Sequence, residues 1–218
     1  MLVGVYHLTA FIPAILYFSS CLKINSAAPP DFFLVDAKFL APDRIYLEDN
    51  IFPYYNINMS TSIKKVLFVG VEKYTRIYHA LLHSMSFWTI EPRSNMAKFA
   101  RPTHHFVGYI TDINRLSNNA RFDWVILNGV YGWGLNSAEQ VQDALNEIYT
   151  ALNPRGHFLL GWNNMTKYDK IGILTFPPLF QLFEKAVFGL TGTHEIVTNS
   201  NKRHTFNFFI KKDSRLKS

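Results

Sequence analysis

Cysteine is almost missing from this chain. The single Cys21 excludes an intrachain disulfide and any clustered thiolate zinc site. No serine sits in a G-x-S-x-G turn, which argues against hydrolase chemistry built on a nucleophile elbow. The eight histidines show no metal-ligand spacing, and no metal is expected. His104 and His105 are adjacent, so on a strand they point to opposite faces and cannot chelate together. A basic stripe interleaved with aromatics is also lacking, and no nucleic-acid partner is expected. The net charge of +6 is partly local, because Lys211, Lys212, Arg215 and Lys217 fall in the last eight residues. Residues 213–218 read as a solvated basic tail.

What the chain has is apolar and aromatic residues, at 48% and 16%, enough for a globular core. With 218 residues, one doubly wound domain is expected. Residues 1–24 form a hydrophobic segment whose heart, residues 8–18, is interrupted by Thr9 and Pro13. That is shorter than the ~20 apolar residues of a full span. No Lys or Arg precedes it, so two readings stay open: a cleaved signal or a short membrane anchor. Membrane association follows from the anchor, and entry into the secretory pathway from the signal. Residues 25–61 are a linker and lead-in, in which residues 32–55 read as irregular or partly helical and cover a sheet edge or a ligand cleft.

The most informative stretch is KKVLFVGVEKYTRIYHALLHSMSFWTIE, residues 64–91. The apolar run 66–69 stops at Gly70, as a buried strand stops before a tight turn. Residues 72–84 carry Ile77, Leu81 and Leu82 at helical spacing, and a second apolar run closes on Glu91. Glu91 lies 21 residues after Gly70, the separation at which the acid of a nucleotide-type βαβ unit reaches a ribose hydroxyl.

The alternation continues with a short helix at 94–100, a strand at 105–110 followed by Asp112, and a strand at 122–127. Ser137 opens the clearest helix, 137–152, with Gln140 three positions on in a capping-box pattern. Val141, Ala144, Leu145, Ile148 and Leu152 form its apolar stripe, and Asn153-Pro154-Arg155-Gly156 stops it. A strand at 157–162, a helix at 177–188 opened by Pro177, and a hairpin of 194–198 with 205–210 complete the chain.

This order resembles the class I S-adenosylmethionine-dependent methyltransferase fold over residues 62–212. The best-matching piece, FDWVILNGVYGWGLNSAEQVQDALNEIYTALNPRGHFLLGWN, is similar to the fourth strand, helix and fifth strand of that fold. The resemblance implies a three-layer, Rossmann-like α/β domain with a mostly parallel seven-stranded sheet and an antiparallel last strand. It also implies S-adenosylmethionine as cofactor and a small-molecule or peptide methyl acceptor. The usual D-x-G-x-G-x-G turn is altered. Phe68 stands in the place of the acid, only Gly70 remains, and Glu72, Lys73 and Tyr74 replace small residues.

Mapped onto these motifs, the expected cofactor-binding residues are Gly70, Glu72, Glu91, Asp112 and Asn128. Glu91 would take the ribose hydroxyls, Asp112 the adenine, and Glu72 the cofactor's amino group. Asn128 and Tyr131 are the expected catalytic residues, since the reactive methyl of this fold is presented after the fourth strand. Tyr131 and Trp133 would wall a sulfonium by cation–π attraction. Gly129, Gly132 and Gly134 would let that turn bend tightly. His204 reads either as a turn residue or as a base reaching the cleft. The altered turn keeps a second reading open, a non-catalytic binding or scaffold protein on the same fold. A third, an NAD-linked reductase, lacks G-x-G-x-x-G.

Overall fold

The computed structural model describes residues 41–59 and 61–213. The expectations for residues 1–24 and for the tail from 214 on lie outside the described residues. Among the described residues, no helix is long and apolar enough to cross a membrane.

The strands are β1 (Lys65–Val69), β2 (Ser86–Glu91), β3 (His105–Val107), β4 (Phe122–Asn128), β5 (Leu152–Asn163), β6 (Phe183–Lys185), β7 (Glu195–Val197) and β8 (His204–Lys211). They form one sheet ordered β3-β2-β1-β4-β5-β8, with β6 and β7 both on the outer edge of β8. β1 to β5 pair in parallel. β8 runs antiparallel to β5, with His157 opposite Ile210 and Asn163 opposite His204. β1 is central, as the apolar run predicts.

Eight strands replace the expected seven because the outermost position is shared end to end. β6 pairs with β8 from Lys211 to Phe209, and β7 from Asn207 to Thr205. The helix expected at 177–188 accordingly ends early, as α6 (Pro177–Leu182). Phe183 turns into the core, 4.9 Å from Phe158, while its backbone pairs with the edge of β8. Tertiary pairing overrides local helix preference there.

Two other elements are shorter than their spacing suggests. Residues 72–84 form a 3₁₀ turn, Lys73–Ile77, and one α turn, α3 (Tyr78–Leu81). Thr75 Oγ1 donates to the Glu72 carbonyl at 2.9 Å, a local bond that competes with a regular helix start. The third strand ends at Val107, and residues 110–112 are a 3₁₀ turn leading into α4 (Ile113–Leu116). The short helix at 94–100 is also 3₁₀, Ser94–Phe99.

α5 (Ala138–Ala151) is the element the sequence describes best. Ser137 Oγ accepts from the Gln140 amide and Gln140 Oε1 accepts from the Ser137 amide, each at 3.2 Å. Val141, Ala144, Leu145, Ile148 and Ala151 are buried on one stripe. Residues 153–156 break the ladder: Phe122 pairs with Leu152, but Trp124 already pairs with His157.

Strand alternation sorts the core into two layers. One face of the sheet presents Val69, Val125, Leu127 and Leu160 to α5 and α6. The other presents Phe68, Trp124, Ile126, Phe206 and Phe208 to the helix of residues 42–58. That helix comprises α1 (Pro42–Tyr46), a π-helical turn, Leu47–Ile51, and α2 (Phe52–Asn58). The expected lead-in thus covers a face of the sheet rather than an edge, with Tyr55 stacked on Trp124 at 3.9 Å. Truncating a buried ring of this kind costs about 3–5 kcal/mol.

Candidate functional site

A cavity of about 690 Å³ opens at the carboxyl ends of β1, β2 and β4, where ligands collect in an open α/β sheet. Its volume lies within the range of small-molecule sites, ~300–1,000 Å³. Gly70, Glu72, Glu91 and Asn128 line it, four of the expected site residues.

Gly70 ends β1 with φ +94°, a conformation that L side chains rarely adopt. Its amide donates to the Ile90 carbonyl at 2.9 Å, which ties the turn to β2. The next amide, of Val71, donates to Glu91 Oε2 at 3.2 Å. Glu91 is 3% exposed and closes β2 on the cavity floor. Its Oε1 accepts from the Arg93 amide at 3.0 Å and from Arg93 Nε at 2.5 Å. Burial pushes the Glu91 carboxyl up, but hydrogen bonds from Arg93 and the Val71 amide outweigh it and hold the group below its ordinary 4.5. Three of the roughly four acceptor positions of this carboxylate are therefore used inside the chain.

Arg93 is the residue that sequence reasoning missed as a site member. Its guanidinium also reaches Glu72 Oε1 at 2.8 Å and the Val71 carbonyl at 3.2 Å. Glu72 is thereby paired across the cavity rim. Tyr74 lines the cavity as well, held by the Arg44 guanidinium 3.6 Å above its ring. The cavity is open with Tyr74 in place.

Two expected residues are elsewhere. Asp112 does not line the cavity; its carboxylate pairs with Arg115 at 3.0 Å. The wall at that end is built by Tyr109, Ile110 and Thr111 instead, because β3 stops early and the 3₁₀ turn carries Asp112 past the rim. Tyr131 is buried in the core, 6.1 Å from Trp162, and its hydroxyl donates to Asp169. Burial and then Asp169 push its pKa up. Tyr131 does not line the cavity and instead ties the turn after β4 to Asp169.

The turn after β4 does bend at glycines, with φ +70° at Gly129 and +81° at Gly132. It sends Trp133 to the cavity wall, 55% exposed. Gly132 has a second reason to be glycine, since a Cβ there would lie 2.7 Å from the Tyr168 carbonyl oxygen.

Asn128 connects the cavity to a buried network. Its Oδ1 lies 2.9 Å from His204 Nε2, and His204 Nδ1 lies 2.9 Å from Asn163 Oδ1. His204 is 4% exposed, and burial pulls its pKa down to about 4, so it is neutral at physiological pH. It does not line the cavity, so it orients Asn128 rather than serving as a base. Gly161 makes room for the pair: a Cβ there would sit 2.0 Å from Asn128 Oδ1. Among the described residues, no group of three or more His, Cys, Asp or Glu could hold a metal ion.

No family model matches the sequence, and no curated protein matches it. Solved structures do. The N-methyltransferase NodS from Bradyrhizobium japonicum WM9 superposes with a TM-score of 0.56 at 14% identity, covering 77% of this chain and all of that one. The same enzyme in complex with S-adenosyl-L-homocysteine gives 0.54 at 15% identity, over 77% and 91% of the two chains. The fibrillarin pre-rRNA processing protein of Methanococcus jannaschii gives 0.52 at 14% identity, over 70% and 68%. Together with the strand order and the cleft at the carboxyl ends of the strands, these likenesses establish that the chain has the class I S-adenosylmethionine-dependent methyltransferase-like fold.

Proposed function

We propose that this protein is an S-adenosylmethionine-dependent methyltransferase. The observation that carries the reading is the buried carboxylate of Glu91 beside the positive-φ turn at Gly70, on the floor of a cavity of small-molecule size. A buried, ionised acid with one acceptor position left over can take one ribose hydroxyl, and Gly70 leaves the backbone free to approach it closely. Glu91 would hold the ribose, with Tyr109 and Ile110 packing against the adenine and Asn128 facing the transferred group. S-adenosylmethionine, when bound, supplies a methyl group activated on a sulfonium. The chain's own part is to position the acceptor and exclude water, which needs few dedicated acid–base groups. Among the described residues, the charged groups that line the cavity are Glu72, Glu91 and Arg93.

One observation favours the non-catalytic reading, namely that Arg93 already holds both Glu91 and Glu72. Calorimetric titration of the full chain with S-adenosylmethionine, S-adenosylhomocysteine and NADH separates the two. Both adenosyl compounds are expected to bind and NADH is not. If neither adenosyl compound binds at millimolar concentration, the enzymatic reading is lost and the scaffold reading replaces it.

A further inference from the structure

Beyond the adenosine half of the cleft, the turn after β4, the loop after β5 and the turn before β8 meet at one rim. Trp133, from the first, lines the cavity and is 55% exposed. Tyr168, from the second, stacks on it with ring centroids 5.2 Å apart. Lys202, from the third, places its ammonium 4.8 Å from the Trp133 centroid and 5.8 Å from that of Tyr168. Lys167 adds a second ammonium 5.5 Å from the Tyr168 ring. Neither lysine has an ion pair among the described residues. The neighbouring acid of the same loop, Asp169, is turned inward to Tyr131 and to the Ile173 amide.

Trp133 thus stands exposed beside two ammonium groups that pair with no described carboxylate, and the charge here is of one sign. At the inner end of the same wall, the side-chain amide of Asn128 is held against His204 Nε2 at 2.9 Å. Asn128 lines the cavity, and neither atom of its amide is among the buried polar groups left without a partner. The wall therefore offers an aromatic face, positive charge at the mouth and a side-chain amide at depth.

We propose that this rim binds the methyl acceptor, and that the acceptor is a flat aromatic anion whose ring lies on Trp133, whose charge faces Lys202 and whose oxygen meets the amide of Asn128. This deepens the methyltransferase reading and rests on it for the word acceptor; the binding of an aromatic anion does not. An acidic aliphatic molecule would gain the charge but not the stacking, and a neutral aromatic the reverse.

The test is titration of the full chain with 4-hydroxybenzoate, 4-hydroxybenzamide and cyclohexanecarboxylate, each with and without S-adenosylhomocysteine, followed by tryptophan fluorescence and calorimetry. 4-Hydroxybenzoate is expected to bind at least about tenfold more tightly than either control, the ratio that corresponds to one well-made polar or stacking contact. Trp133→Ala should abolish the fluorescence response and Lys202→Gln should weaken binding about tenfold. Equal binding of the three probes, or no binding of 4-hydroxybenzoate at millimolar concentration, overturns the proposal. Should S-adenosylhomocysteine bind while the aromatic anion does not, the rim assignment fails and the methyltransferase reading stands. Should the anion bind while the adenosyl compounds do not, the site stands and its role as an acceptor site is lost.

Discussion

The two halves of the cleft treat charge in opposite ways. At the end built by β1 and β2, Glu91 and Glu72 are both tied to Arg93, and Glu91 is 3% exposed. At the other half, Lys202 and Lys167 are exposed and lie against rings rather than acids. The first is self-satisfied, so a ligand there must exchange one set of hydrogen bonds for another. The second has cations that lie on rings and pair with no described carboxylate, so an anion there adds an ion pair.

The comparison breaks most directly at Glu91. Glu91→Ala should weaken S-adenosylhomocysteine binding by about 1.5–3 kcal/mol, or roughly 10- to 150-fold, the usual worth of a charge-assisted hydrogen bond. Glu91→Gln should lose less, because one acceptor oxygen remains. Calorimetry on the three proteins checks the order, and an unchanged affinity in Glu91→Ala would remove the ribose assignment.

The opposite half is vulnerable to volume rather than charge. Gly161→Ala pushes a methyl into Asn128 Oδ1 and His204, a clash that should cost about 1–3 kcal/mol of stability. Urea unfolding measures it. Loss of the aromatic-anion response without loss of S-adenosylhomocysteine binding would show that the damage stays on that side.

Acid should separate the halves next. His204 is held neutral in the fold, with its pKa lowered from 6.5 to about 4. Its contribution is complete above pH 6.5 and is lost as pH falls from there towards 4, because the unfolded chain takes up the proton first. Glu91 is also depressed, from 4.5, so its contribution is complete above pH 4.5 and lost only below it. Unfolding midpoints measured against pH should therefore begin to drop well above pH 4.5, and His204→Gln should flatten that early part. A midpoint constant down to pH 4.5 would contradict the buried neutral imidazole.

The smallest effect is expected at Arg93. Its side chain is half exposed, so its pair with Glu72 is worth little, ~0.2–1 kcal/mol at most. Glu72→Gln breaks that pair alone and should change S-adenosylhomocysteine affinity by no more than a few-fold. A large loss instead would make Glu72 a ligand contact.

Much of this architecture is legible in the residues themselves. The apolar run ending at Gly70, the acid 21 residues later, and the stripe and capping pair of α5 depend on backbone period and on bonds within a few residues. Strand pleat and helical turn repeat wherever the chain goes, so the layers, the order of elements and the place of Glu91 could be read from the residues. The sequence did not determine which way a side chain faces beyond a turn. Tyr131 and Trp133 are two residues apart on one glycine-rich turn, yet one is buried on Asp169 and the other stands at the cavity mouth. That choice belongs to the loop after β5, which packs its Tyr168 carbonyl against Gly132. Asp112 left the cleft because β3 stopped early, and residues 183–185 became a strand because β8 had an unpaired edge. His204 joined Asn128 across 76 positions only because β8 lies beside β5 and Gly161 has no side chain. Each of these was decided by the tertiary structure, since the partner that settles it lies far off in the chain and close only in the fold.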